Sequence, residues 1–166
     1  MADLTYRPPQ AGDFDAMHTI VSDWSVVRQL GSYPWPPQPA FTRARCQAYG
    51  GEGFVWAICQ DDWMIGSVAV TKGILGYKLS PQAQGKGVMT RACADAITHA
   101  FATYDWPHLV ASIWQDNAAS ARVLQKCGFA HVQTRYEHSV ARRLPVLCHY
   151  YRLARSDWHG LRSAAQ

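Results

Sequence analysis

The sequence predicts a single α/β (α+β) domain in which a mostly antiparallel sheet is flanked by helices. The chain of 166 residues has the length of one domain, for which folding buries roughly 70% of the extended chain's surface. Hydrophobic residues make up 48% of it and charged residues 17%, with seven tryptophans, a composition that fills a core and excludes a disordered or low-complexity chain. Short strand-like runs bounded by turn residues alternate with segments of helical period, and no repeat, linker or shift in composition divides 1–166.

Leu4 to Arg7 reads as the first strand, stopped by Pro8 and Pro9. Apolar residues at Phe14, Met17, Ile20, Val21, Trp24 and Val27 recur at helical spacing, which predicts one helix from Asp13 to Leu30, ended by Gly31. The four prolines between Tyr33 and Pro39 forbid helix or central strand, because proline lacks a donor and fixes φ. This stiff loop with Tyr33 and Trp35 serves either as a connector or as a wall of a substrate pocket. A short helix around Ala40 to Tyr49 follows. Phe54 to Cys59 and Met64 to Val70 are strands joined by the Asp61-Asp62 turn, and Lys72-Gly73 leads into a third antiparallel strand, Ile74 to Leu79. After Pro81, a glycine-containing loop opens a helix with Val88, Ala92, Ala96, Ala100 and Tyr104 on one face, ended by Pro107. Leu109 to Trp114 is a strand, Asn117 to Cys127 a helix, and strands at Ala130 to Glu137 and Val146 to Leu153 complete the chain.

Composition excludes several classes of function. No segment approaches the ~18 apolar residues that cross a bilayer, and Met1 to Arg7 lacks a signal pattern, so a cytoplasmic protein without membrane contact is expected. The five cysteines are odd in number, widely spaced and never in a C-x-x-C arrangement, which argues against a disulfide framework or a zinc site. Net charge is +4, and six of the twelve arginines lie between Arg135 and Arg162. Pro145, Leu147, Tyr150 and Tyr151 interrupt these basic residues, so a solvated surface or a contact with a small polyphosphate fits better than a nucleic-acid groove.

The most informative segment runs from Leu79 through Gln84, Gly85, Lys86, Gly87, Val88 and Met89 to Thr90. A strand entering a glycine-spaced loop and then a helix presents backbone N–H groups at the positive end of a helix dipole, which suits phosphate or pyrophosphate; read alone, it also suits a tight turn and helix start. A dinucleotide fingerprint would need a third glycine, and a Walker loop would need Ser or Thr where Gly87 follows Lys86. The second segment is Asn117 to Phe129. Asn117 or Asp116 can cap its helix, and Gly128 can adopt the left-handed stop.

This pairing of segments, about thirty residues apart, resembles the GNAT superfamily of N-acetyltransferases, and within it the branch of ribosomal-protein N-terminal acetyltransferases, over most of the chain. The family's acetyl-CoA loop, Q/R-x-x-G-x-G/A, matches as Gln82-x-x-Gly85-x-Gly87 and as Gln84-x-x-Gly87-x-Met89; the second is preferred because it ends at the helix start. Gly76-Tyr77-Lys78-Leu79 is similar to the branch's G-Y-W-L strand. Asn117-x-x-Ser120 with Lys126-x-Gly128-Phe129 is similar to its second motif, and Tyr151 and the stretch Arg155 to Trp158 to its last strand and tail. The resemblance implies a mixed, mostly antiparallel sheet splayed between the fourth and fifth strands, with the pantetheine arm of acetyl-CoA in the V. It assigns the cofactor to Leu79, Gln84, Gly85, Lys86, Gly87, Val88, Met89, Thr90, Asn117 and Ser120.

The chain departs from the pattern where catalysis is concerned. Many members carry a tyrosine seven residues after the asparagine as proton donor to the departing thiolate; this chain has Leu124, which passes the role to Ser120 or solvent. The branch's glutamates before the G-Y pair and in the loop helix are replaced by the neighbourhoods of Gly73, Ile74 and Arg91. Of the two glutamates in the chain, Glu137 is the expected base, directly or through water. His138, on the opposite face of a regular strand, and His149 are the alternatives. The implied activity is metal-free transfer of an acetyl group from acetyl-CoA to a primary amine: a protein N-terminus, amino acid, amino-sugar or polyamine, selected by Trp24 to Phe41. An acyl-CoA-binding sensor or interaction module without turnover is the other reading, and either leaves a homodimer open.

Overall fold

The computed structural model describes residues 3–158. Its strands are β1 (Leu4–Arg7), β2 (Gly53–Gln60), β3 (Trp63–Thr71), β4 (Ile74–Leu79), β5 (His108–Trp114), β6 (Ala130–Ser139) and β7 (Leu144–Ala154). They form one sheet in the order β1-β2-β3-β4-β5-β7-β6. The helices are α1 (Phe14–Val21), α2 (Trp24–Val27), α3 (Pro39–Arg43), α4 (Val88–Thr103) and α5 (Ala118–Lys126), with short 3-10 turns at Ala11–Asp13 and Pro81–Ala83.

Every neighbouring pair is antiparallel except β4 and β5, which run parallel. The β2–β3 and β3–β4 hairpins turn on residues with left-handed φ: Asp61 at 49° and Asp62 at 64°, Lys72 at 51° and Gly73 at 75°. Two successive left-handed residues give the turn whose twist matches that of paired strands. β4 and β5 meet at a single pair, Ile74 opposite Val110, where the Val110 N–H donates to the Gly73 carbonyl at 3.0 Å. Beyond it they part, and the sheet splays between its fourth and fifth strands.

α4 makes the crossover between these parallel strands. Its inward face is built of small residues, with Ala92, Cys93, Ala96 and Ala100 fully buried beside Ile97, so the helix lies close against Val68 and Val70 of β3 and Leu109 of β5 in the main core. Leu124, inaccessible to solvent, plants α5 in the same core. All five cysteines are buried and unpaired.

The N-terminal region differs from expectation. The single helix expected from Asp13 to Leu30 is two helices, because Asp23 accepts the Ser25 N–H at 2.8 Å and caps α2, a side-chain bond that competes with continuation of α1. The helix expected around Ala40 to Tyr49 is only α3. Thr42 and Cys46 are buried, whereas residues 47–50 are exposed, so no apolar face carries the helix further. β6 and β7 run slightly longer than expected.

Asp13, 4% exposed, anchors this region. It accepts two N–H bonds from the Arg7 guanidinium at 2.7 and 2.8 Å and one from the Gln10 backbone at 2.8 Å. Burial pushes its carboxyl up, but the Arg7 and Gln10 hydrogen bonds together outweigh burial and hold it below the usual range. With the folded value lowered, this stabilisation is complete above the unfolded carboxyl's value of about 3.9 and is lost as pH falls through the folded value. Asp13→Ala should therefore cost about 2 kcal/mol near neutrality, less than a fully enclosed pair because Arg7 is partly open to solvent. The difference should shrink in acid, as urea unfolding of both proteins across the acid range will show.

Candidate active site

The parting of β4 from β5 leaves one edge of β4 without a partner. Ser80 donates its N–H to the Ile65 carbonyl of β3 at 2.8 Å, and antiparallel pairing alternates. Ile74, Gly76 and Lys78 therefore direct their backbone groups to β3, while Leu75, Tyr77 and Leu79 direct theirs to the β5 side. The Val110 pairing covers the Leu75 end. Further along, the Gln84 side-chain amide donates to the Leu79 carbonyl at 3.1 Å, which leaves the Tyr77 and Leu79 N–H groups facing the gap.

The same edge runs into the glycine loop. Gly85 and Gly87 hold φ of 75° and 76°, and a Cβ at either would meet open space. Backbone conformation requires glycine there, and the concavity in front of the loop is empty of protein. Gly87 is the residue preceding α4, and no acidic residue lies in the first turn. The Val88, Met89 and Thr90 N–H groups, which have no partner within the helix, meet no negative charge supplied by the chain. Such an end holds an anion.

α5 closes the gap from the other side. Asn117 Oδ1 accepts the Ser120 N–H at 3.1 Å and caps the helix, which commits its oxygen and leaves its NH2 as donor. At the other end, Gly128 is left-handed at φ 87°; its N–H bonds the Gln125 carbonyl and that of Phe129 the Leu124 carbonyl, both at 3.0 Å, a Schellman stop. The Tyr77 hydroxyl donates to the Ser120 carbonyl at 3.4 Å, linking β4 to α5 across the gap. Burial pushes the Tyr77 phenol far above its ordinary range. The Ser120 hydroxyl lies beside the same phenol, where its hydrogen bond only partly offsets the effect of burial.

Two cavities flank this seam, of about 680 Å3 and about 850 Å3. The first is lined by Leu79, Gln84, Gly85, Gly87, Val88, Met89 and Thr90 on one side and by Asn117 and Ser120 on the other. Of the ten residues assigned to the cofactor, Lys86 alone is absent from this wall; its side chain is exposed. The second cavity is lined by Tyr33, Arg45, Tyr49, Glu137, His138 and Tyr150, among others. The two share Gln29, Leu30, Ser112, Ile113 and the β4 segment from Leu75 to Lys78. Ser120 and Glu137 thus stand on opposite sides of one seam.

Glu137 is held by the Tyr150 hydroxyl at 2.7 Å and Arg135 Nε at 2.6 Å, and these bonds, Tyr150 first, keep its carboxyl below the usual range. On a regular strand only one of Glu137 and His138 would face the cleft unless a bulge intervened, and β6 does carry a register shift between His131 and Gln133. Both line the second cavity. His149 lines neither cavity. It lies on the opposite face of β7 from Cys148 and Tyr150, with Nδ1 2.6 Å from Thr134 Oγ1.

Within the segment expected to select the acceptor, Tyr33 is buried in the second cavity's wall. Trp24 and Trp35 pack on each other, ring centroids 5.1 Å apart, and line neither cavity. Arg45, Tyr49 and Lys78 join the wall without any motif to announce them; only the position of Lys78, inside the G-Y-x-L strand, could have pointed to it. The Arg28–Asp116–Arg142 cluster is a further feature without sequence signal. Asp116 accepts from Arg28 at 2.7 Å and from two nitrogens of Arg142 at 2.9 and 3.0 Å, and these bonds, Arg142 first, hold its carboxyl below the usual range. Among the described residues no group of three or more His, Cys, Asp or Glu could hold a metal ion, and no helix is long and apolar enough to cross a membrane.

A family profile described as an acetyltransferase (GNAT) domain matches residues 3–130; no curated protein matches the chain. Among solved structures, the chain is similar to the ribosomal-protein-S5-alanine acetyltransferase from Vibrio fischeri, with 16% identity, a TM-score of 0.76, and coverage of 95% of this chain and 96% of that one. It is similar to RimL, a ribosomal L7/L12 alpha-N-protein acetyltransferase in complex with coenzyme A, with 20% identity, a TM-score of 0.75, and 91% and 93% covered. The microcin C7 self-immunity acetyltransferase in complex with acetyl-CoA and AMP has 14% identity and a TM-score of 0.74, with 92% of each chain covered. At these identities the likeness to the solved structures is one of fold.

Proposed function

The chain belongs to the GNAT acetyltransferase family, and from that premise we propose that it transfers the acetyl group of acetyl-CoA to a primary amine, of a small molecule or a protein N-terminus, by direct attack in a ternary complex. The observation that carries this reading is the seam: an anion-binding helix start and an open strand edge line one cavity, and that edge is also a wall of the second. Two reactants entering from opposite sides would meet along residues 75–78.

Acetyl-CoA, when bound, supplies an acyl group already activated as a thioester. In this proposal the loop from Gln84 to Gly87 and the N–H groups of Val88, Met89 and Thr90 hold the pyrophosphate, with Lys86 adding charge from outside. The Leu79 N–H pairs with the pantetheine arm, and the Asn117 NH2 donates to it. The Tyr77 N–H, on the same open edge, donates to the carbonyl oxygen where negative charge develops. Ser120 passes a proton to the departing sulfur and regains one from solvent. Glu137, directly or through water, receives the proton of the attacking amine. Its hydrogen bonds weaken it as a base, so holding amine and thioester together supplies the larger share of the rate.

Acetyl-CoA should raise the melting temperature. At about a hundredfold excess over Kd the stabilisation is about 2.7 kcal/mol, roughly 5–10 °C for a domain of this size. Gly87→Glu should abolish the shift by placing a side chain and a negative charge in front of the helix start; a full shift in a folded variant would move the site elsewhere. Thiol release with a panel of amines separates the enzyme from an acyl-CoA sensor, which would bind without releasing thiol.

Ser120→Ala should lower kcat by roughly ten- to a thousandfold with little change in acetyl-CoA affinity, as for an interaction made in the transition state. Ser120→Leu should instead weaken acetyl-CoA binding. A wild-type kcat in the alanine variant removes Ser120 from the reaction. Restoring the family's tyrosine is no alternative test, because Leu124 is fully buried and a larger ring there would overpack the core.

The lowered proton affinity of Glu137 keeps it ionised throughout the neutral range. The rise of kcat/KM with pH should therefore follow deprotonation of the acceptor amine, and amines of different basicity should shift it in step. Glu137→Gln should lower the plateau without moving the limb. A limb that stays fixed across amines and vanishes in the variant would make Glu137 the titrating group.

A further inference from the structure

We propose that the acceptor is an anionic amine, a primary amine with a carboxylate or phosphate a few bonds away, and that Lys78 and Arg45 seat its negative group beside Tyr33. This rests on the N-acetyltransferase reading and adds the substrate class. Lys78 lines both cavities. Its ammonium donates to Oγ of the buried Ser67 at 2.8 Å and lies 5.0 Å from the Tyr33 ring centroid. The guanidinium of Arg45 approaches the same ring at 5.1 Å and the Phe41 ring at 3.5 Å. Two cations therefore border one buried aromatic ring in the wall of the acceptor-side cavity.

Neither cation has a carboxylate within salt-bridge distance among the described residues. The one carboxylate in that cavity's wall, Glu137, already carries Arg135 and the Tyr150 hydroxyl. Lys78 has one ammonium hydrogen engaged by Ser67 and two left to donate. Charge-assisted bonds from a fixed ammonium and a guanidinium are how an oxyanion is selected. Distance sets the second condition. Lys78 stands in the chain between Tyr77 and Leu79, whose N–H groups face the gap, so its ammonium is one side chain's length from the seam and the anion must lie close to the reacting nitrogen. A polyamine would bring a second ammonium against these two cations. An uncharged amino-sugar would use neither.

The test uses pairs differing only in the anion, phenylalanine against phenethylamine and phosphoethanolamine against ethanolamine, with spermidine as the cationic extreme. Thiol release should favour the anionic member of a pair by tenfold or more in kcat/KM. The phenylalanine and phosphoethanolamine arms distinguish carboxylate from phosphate. Arg45→Gln and Lys78→Gln should each remove most of the preference, chiefly by raising KM for the anionic amine. Arg45→Gln should keep the full acetyl-CoA melting shift, because Arg45 does not line the cofactor-side cavity. Equal or better rates with neutral partners, or a preference that survives both substitutions, overturn the proposal. If acetyl-CoA binds but no amine releases thiol, the transferase reading fails by itself, and calorimetry of the same amines with the coenzyme A-saturated protein decides this one. Tighter binding of an anionic amine, weakened tenfold in Arg45→Gln, supports the site; no difference within either pair overturns it.

Discussion

One parallel pairing, Ile74 against Val110, governs the layout of the candidate active site. Had β4 and β5 stayed paired along their length, every outward-facing amide of β4 would be satisfied and the sheet would be closed. Because they part after one step, the Tyr77 and Leu79 N–H groups face a cleft, and backbone donors left without a protein partner must be met by water or ligand. The parting also determines where the following elements begin. β4 ends at the glycine loop that leads into α4, and β5 ends at the cap of α5, so both helix starts open on the same gap.

A gap of this kind needs props. β3 and β7 hold the outer edges of the two strands, and the Tyr77 hydroxyl spans to the Ser120 carbonyl from below. The remaining support comes from a distance. Arg142, in the turn between β6 and β7, donates to the Arg28 carbonyl at 3.0 Å and to Gln29 Oε1 at 3.1 Å while clasping Asp116. This ties the end of α2 to the start of α5, and so fixes Gln29 and Leu30, which line both cavities. Guanidinium groups suit the task because one planar fork engages a carboxylate and two further acceptors at once.

Much of this was legible in the sequence where local chemistry dictates geometry. The Asp61-Asp62 and Lys72-Gly73 turns marked the hairpins, the glycines at 85 and 87 marked a loop opening a helix, and Gly128 followed by Phe129 marked the stop of α5. The splay came from family resemblance, since nothing in the composition of β4 or β5 says that they part. The break at Asp23 was missed because its apolar neighbours keep helical spacing across the cap. The acceptor wall was hardest: Tyr33, Arg45 and Lys78 lie on three separate stretches of the chain, and only the fold brings the two cations to the Tyr33 ring.

Charge is distributed unevenly along the seam. The cofactor side has backbone donors and a helix start but no acid, and the acceptor side has two cations without carboxylate partners and one carboxylate committed to Arg135 and Tyr150. A protein relying on a strong base would leave that carboxylate unpaired and desolvated, which would raise its proton affinity; here its hydrogen bonds lower it. In the proposed reaction the acceptor's anionic group would meet Lys78 and Arg45, while Glu137, directly or through water, would take the proton of the attacking nitrogen. A reaction without the family's tyrosine and glutamates would then rest mainly on holding amine and thioester together, with Glu137 and Ser120 handling the protons.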